Sequence, residues 1–296
     1  MGNIISYKRY GKIFLISAIL TLLIYSITDN LIGIYAVSSG GHSICVPIIM
    51  YHHVKNGGFG KDCISPYEFE SDLAYLKENN YTTITMTDLI NYVYEDTPLP
   101  DNPIILTFDD GYLSTYQYVY PLLKEYDMKI VLSVVGKSID DFSRVKDDHV
   151  AYAHITWEKL REMQDSGHAE IQNHTYNLHK ICNGRYGCYQ RDNETLSQYE
   201  QLLTEDTLKL QERAAELLGG APTTFTYPYG KYNDTTEKII KRLGFKATMS
   251  ASYGLNLINK DPERLYGLKR ICRAHNYPMK KLIIEANKTL KFRNID

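Results

Sequence analysis

From residue 41 onward, short apolar runs alternate with amphipathic stretches of helical period, and this alternation restricts the fold more than any other feature of the chain. Residues 46–51, 104–108, 130–135, 169–172, 225–227, 245–249 and 268–272 read as strands. Between them, Phe69, Leu73 and Leu76 share one helical face, ended by Asn79-Asn80. A Tyr- and Leu-bearing helix runs to about Tyr126, and 157–164 is helical. Tyr199, Leu202, Leu203, Leu210 and Leu217 mark a long helix stopped by Gly219-Gly220, where glycine accepts the left-handed cap. Asp234 and Glu237 read as a capping box for a helix through Leu243. Strands separated by helices of about ten residues or more imply parallel βαβ units. The expected class is α/β, either a βα barrel or a doubly wound sheet. No GxGxxG or P-loop pattern occurs, so no nucleotide cofactor is expected.

The first forty residues differ. Lys8, Arg9 and Lys12 precede an apolar run at 13–27, interrupted by Ser17, Thr21 and Ser26 and ended by Asp29-Asn30. A basic flank before such a run is the pattern of an export signal or signal anchor. As a helix it spans roughly 23 Å, shorter than a bilayer core of roughly 30 Å, but thinning or snorkelling accommodates the difference. Ala36-Val37-Ser38 is a passable cleavage site, though distant from the run, which favours an uncleaved anchor. The expected organisation is a membrane-targeting segment at 1–40, contacting the membrane through 13–28, and one domain at 41–296 outside the cytoplasm. It would sit at the cell envelope, or be secreted if the signal is cleaved. Met1-Gly2 with Ser6 fits a myristoylation pattern, but the apolar run already accounts for targeting. Five cysteines leave at least one thiol free or paired with another chain, and outside the cell Cys182 with Cys188 could close a small loop. The net charge of −2 includes no basic stripe, which argues against a nucleic-acid partner. Tyrosine is abundant, with 26 against 8 Phe and 1 Trp, and rings with a polar tip suit a wet, sugar-like ligand.

Three motifs carry chemistry. Thr107-Phe108-Asp109-Asp110-Gly111 places two carboxylates at the C-terminal end of a strand, where α/β folds keep their sites. Adjacent carboxylates repel unless a cation lies between them or one is protonated. Asn173-His174-Thr175-Tyr176-Asn177-Leu178-His179 follows another strand. Imidazoles five apart lie about 140° apart on a helix, so they converge only in a loop. Two His and one carboxylate is a common catalytic zinc set. Phe225-Thr226-Tyr227-Pro228-Tyr229-Gly230 is a strand entering a turn that presents a backbone N–H and an aromatic ring.

In this order, with 46–53 as an opening strand and Leu268-Lys269-Arg270-Ile271 near the end, the motifs resemble the polysaccharide deacetylases of the NodB-homology type, carbohydrate esterase family 4. The resemblance covers roughly residues 45–290. It implies a distorted βα barrel, usually of fewer than eight strands, and hydrolysis of N-acetyl groups on amino sugars. By this resemblance Asp109 is the general base, and Asp110, His174 and His179 hold a divalent metal. Zinc is expected, and cobalt, nickel or manganese also suit the ligand types. The Tyr229 N–H would hold the oxyanion, and His275 would be the general acid. Tyr227, Pro228, Tyr229 and Arg270 would bind a polysaccharide, with peptidoglycan N-acetylglucosamine placed before poly-N-acetylglucosamine or chitooligosaccharide.

Three departures from the pattern stand out. The two His are five apart where many members have four. Thr226 occupies the position of an arginine that orients the base, for which Arg270 or Arg273 are substitutes. The approach to His275 is less apolar than usual, so His52, His53 and His154 compete for proton transfer. A silent glycan-binding or scaffolding member is the alternative raised by the missing arginine. A two-carboxylate glycosidase fits less well, because its pair should lie about 5 Å or more apart across the bond.

Overall fold

The computed structural model describes residues 43–145 and 147–293. The apolar run at 13–27 lies outside them, and no helix among the described residues is long and apolar enough to cross a membrane.

Seven parallel strands form one curled sheet: β1 (Ile48–Tyr51), β2 (Pro103–Phe108), β3 (Ile130–Val134), β4 (Ala169–Asn173), β5 (Thr224–Thr226), β6 (Ala247–Met249) and β7 (Ile271–Cys272). They lie in the order β6-β5-β4-β3-β2-β1-β7, and Thr82–Thr83 adds an eighth strand beside the start of β2. The two ends of the sheet meet at a bridge between Met249 and Leu268. There the Leu268 N–H donates to the Thr248 carbonyl at 2.9 Å, and the Ser250 N–H donates to the Leu268 carbonyl at 2.8 Å. This is the α/β architecture expected from the alternating pattern.

The connections are helical. Pro66–Glu78 (α1) and Met86–Tyr94 (α2) join β1 to β2, and Tyr120–Tyr126 (α3) joins β2 to β3. Gly136–Val145 (α4) and Trp157–Asp165 (α5) lead to β4. The long Leu196–Leu218 (α6) leads to β5, and Asp234–Arg242 (α7) to β6. Met279–Arg293 (α8) follows β7. Helices outside and side chains inside bury both faces of the strands, which is why β1, β2 and β3 are apolar at nearly every position. Ile48, Ile105, Val131, Ala247, Met249 and Leu268 belong to one buried cluster contributed by strands around the curl.

Local chemistry explains the helix ends. Ser65 and Glu68 form a capping box on α1, Thr195 and Gln198 one on α6, and Gly219 closes α6 at φ 80°. Before α7 the box is Asn233 with Thr236, not Asp234 with Glu237, because Asn233 is the extended residue whose side chain reaches the Thr236 N–H. The run 46–51 is not one strand. Pro47 has no N–H to offer a ladder, and the chain splits there into Ile44–Val46, which pairs antiparallel with Asn256–Ile258, and β1. All five cysteines are free, so Cys182 and Cys188 are not joined. Cys188 is buried, with its thiol against the Lys231 carbonyl.

Candidate active site

Side chains two apart in a strand share a face, so Asp109 continues the face of Ile105 and Thr107 at the open end of the curl. Its N–H is anchored to the Tyr51 carbonyl at 3.0 Å. Asp110 then adopts a left-handed backbone at φ 71°, followed by Gly111 at φ 75°. That reversal turns a second carboxylate toward the same cavity where a regular strand would point it away. It is held from outside by His154, whose Nδ1–H donates to the Asp110 carbonyl at 2.9 Å. Of the rival histidines, His154 is therefore a backbone tie. His53 stacks on Tyr112 at 3.5 Å and contacts Ser114 Oγ.

His174 leaves the end of β4 with its N–H on the Val134 carbonyl. Its Nδ1 lies 2.8 Å from the Thr226 carbonyl. A carbonyl only accepts, so Nδ1 carries the proton and Nε2 presents a lone pair. Burial pushes the His174 pKa down to about 4, which keeps the ring neutral at neutral pH. His174 Nε2 lies 3.7 Å and His179 Nε2 3.2 Å from Asp110 Oδ1. Donor atoms of all three residues lie within 4.8 Å of one another.

Asp110 Oδ1 is buried and has no hydrogen-bond partner. Leaving such an oxygen unsatisfied costs about 1–3 kcal/mol, and more when it is charged. A cation between it and two imidazole lone pairs removes that cost. The donor set of two nitrogens and one carboxylate is that of catalytic zinc sites, with room for a further ligand. These residues fit a divalent ion.

Asp109 is paired differently. Arg270 Nη1 and Nη2 donate to its two carboxylate oxygens, each at 2.8 Å, with both side chains almost fully buried. Arg270 Nε donates to the Ser250 carbonyl at 2.7 Å, and Nη1 also reaches Thr107 Oγ1. Burial alone would raise the Asp109 pKa. Arg270, with His174 and His52, outweighs it and holds the carboxyl well below the usual carboxylate range. With Thr226 at the third-motif position, the guanidinium that pairs with Asp109 comes from just before β7. Arg270 has its guanidinium committed to the protein, not to a substrate. Arg273 serves elsewhere, donating to Asp72 at 2.7 Å.

One cavity of about 650 Å³ contains Asp109, Asp110, His174, His179 and Tyr229 in its walls. Tyr229 lies in the tight turn Pro228–Gly230 at φ 57°, with its ring 4.6 Å from that of His179 and 4.9 Å from that of Tyr186. A Cβ on Gly230 would come within 2.5 Å of Ala251, so the turn admits only glycine there. Tyr227 and Pro228 are buried outside this wall. Tyr227 stacks on Tyr232 at 4.1 Å in the cluster beneath α6 and α7, because strand alternation sends it into the core.

His275 is also outside the wall. Its Nδ1 lies 2.8 Å from Glu68 Oε2, and its ring stacks on Phe59. His52 lines the cavity, with Nε2 3.9 Å from Asp109 Oδ2 and Nδ1 3.8 Å from Asp62 Oδ1. Its position directly after the opening strand was the available signal. Tyr186, on the hairpin of Ile181–Cys182 with Arg185–Tyr186, had none.

Comparison with known proteins agrees with this geometry. The polysaccharide deacetylase family model matches residues 96–248, more than half of the chain. The YxkH protein of Bacillus subtilis is 29% identical over 226 residues, covering 76% of this chain and 70% of that protein. The poly-beta-1,6-N-acetyl-D-glucosamine N-deacetylase of Escherichia coli K12 is 27% identical over 255 residues, 79% of this chain, but the match spans only 37% of that protein's length. The fold is shared with the de-N-acetylase from Aggregatibacter actinomycetemcomitans, with a TM-score of 0.70 at 22% identity over 81% of this chain and 99% of that one. With more than half of its length matched and its motifs gathered in one cavity, the chain belongs to the polysaccharide deacetylase family of enzymes.

Proposed function

We propose that this protein removes N-acetyl groups from the amino sugars of an extracellular polysaccharide, using a divalent ion, zinc first, held by Asp110, His174 and His179. The observation that carries this reading is the juxtaposition, in one cavity, of those three donors with the Arg270-bound carboxylate of Asp109.

When bound, such an ion polarises the acetamide carbonyl and lowers the pKa of water to about 7. Asp109, kept ionised and oriented by Arg270, would accept the proton of the attacking water. The Tyr229 backbone N–H donates to the oxygen of the tetrahedral intermediate, an interaction that can be worth about 3 kcal/mol. His52, not His275, delivers a proton to the departing amine. Acetate and a free amino sugar leave.

For the substrate we take poly-β-1,6-N-acetylglucosamine ahead of peptidoglycan, on the strength of the E. coli relative's named activity. Tyr186 and Tyr229, both partly exposed, offer ring faces to successive sugars. We assign 41–296 as the deacetylase domain and 1–40 as the segment that takes it to the membrane. Fractionation of cells making the full chain tests this placement, and a wholly cytoplasmic protein would refute it.

The activity is tested by acetate release from poly-β-1,6-N-acetylglucosamine and from purified wall glycan, with and without chelator. Release from the first glycan, abolished by chelator and restored by Zn²⁺, is expected. Chelator-insensitive release, or none from any N-acetylated glycan, would overturn the reading.

A further inference from the structure

The chain between the two imidazoles is fastened by a residue that none of the motifs contains. Thr175 has a left-handed backbone at φ 74°, and its buried hydroxyl has no partner, so the hydroxyl does not hold the turn. Its N–H goes to Asn173 Oδ1 at 2.8 Å. The next two N–H groups, of Tyr176 and Asn177, go to Asp206 on α6, one to each carboxylate oxygen and both at 2.8 Å. On the opposite side, the Thr175 and Tyr176 carbonyls accept from the N–H groups of Gly136 and Lys137. Asn173 Nδ2 makes a second tie to α6, donating to the Thr207 carbonyl at 3.3 Å.

We propose that Asp206 is a positioning residue for the cation site: by accepting both N–H groups it fixes the arc from His174 to His179, and so the separation of their Nε2 atoms about Asp110. The inference rests on the metal-site reading above. Imidazoles five apart have no helix to set their spacing, so the loop must be held from outside. A carboxylate suits the task because it offers two acceptors and no donor. Asparagine offers one acceptor and would turn an NH₂ group toward one of the loop N–H groups. Partners that orient metal ligands typically account for about 10–100-fold in metal affinity or activity.

The test measures Zn²⁺ affinity directly, by competition with a chromophoric chelator, on the full chain and its Asp206→Asn, Asp206→Glu and His174→Ala variants. Asp206→Asn, with unchanged circular dichroism, is expected to bind Zn²⁺ about 10–100-fold more weakly at the same stoichiometry. Asp206→Glu, which keeps both acceptors, is expected to fall between it and the parent. A purely structural role would lower thermal stability and leave the affinity of the folded protein unchanged. A folded Asp206→Asn with the affinity of the parent overturns the inference. Should that variant not fold, Asp206→Glu decides, weakened binding supporting the inference and unchanged binding overturning it. If the parent binds no Zn²⁺, or His174→Ala binds as well as the parent, the metal reading itself falls and takes the inference with it.

Discussion

Arg270 and Asp109, 161 positions apart in sequence, meet as a buried two-point ion pair with both N–O distances at 2.8 Å. A planar guanidinium matches a carboxylate edge to edge, which fixes the orientation of Asp109 as well as its charge. The pair gives Asp109 a guanidinium partner although Thr226 holds the third-motif position.

Arg270→Lys should therefore cost more than a conserved charge suggests. A lysine ammonium cannot form the two-point contact, and losing one charge-assisted hydrogen bond costs about 1.5–3 kcal/mol. A fall of about 10–100-fold in kcat with Zn²⁺ content unchanged is expected, read by acetate release and metal analysis. Unchanged kcat would show that the pair does not orient the base.

The two neighbouring aspartates should separate cleanly. Asp109→Asn is expected to retain Zn²⁺ and lose turnover, whereas Asp110→Ala or His174→Ala loses both. A fully active Asp109→Asn on an acetylated sugar substrate would refute its role as base.

His52 and His275 make opposite predictions. General acid–base groups typically contribute about 10²–10⁴-fold, so His52→Gln should lower kcat by that order. His275→Gln should leave kcat near that of the parent, because its ring is occupied by Glu68 and Phe59 outside the cavity wall. The reverse pattern would return the acid role to His275.

Acid should destabilise the protein partly through His53. Burial, with Lys55 nearby, lowers its pKa from 6.5 to about 4, against the pull of Asp110. Between about pH 6.5 and 4 the unfolded chain then binds the proton that the folded chain refuses, so stability falls as pH falls through this window. Denaturant unfolding of the metal-free protein from pH 7 to 4 should show a shallower loss for His53→Gln than for the parent. Equal slopes would show that His53 contributes nothing.

What was legible in the sequence followed from local patterns. The βαβ order and the end of α6 at Gly219 rest on periodicity and cap chemistry, and strand ends mark the loops of Asp109-Asp110 and His174, whereas the choice of Asp110 with His174 and His179 as one donor set rests on the family resemblance. The pairing of Arg270 with Asp109 was open, with Arg273 an equal choice, because a partner 161 positions away leaves no local trace. Tyr227 was misplaced because one residue of strand parity decides between cavity and core. The place of His275 outside the cavity wall leaves no local trace, because its contact with Glu68 depends on α1 packing beside the segment after β7. Asp206 and Tyr186 meet the site only through contacts between segments distant in sequence, which leave no local signal.

Leu268, whose two hydrogen bonds join the ends of the sheet, stands two residues before Arg270. Strand side chains alternate, so a slip of one residue at this junction would turn the guanidinium outward and leave the Asp109 carboxylate bare. Correct docking of the last strand is thus a proofreading step on reactivity: a chain that closes out of register can look folded yet be inert.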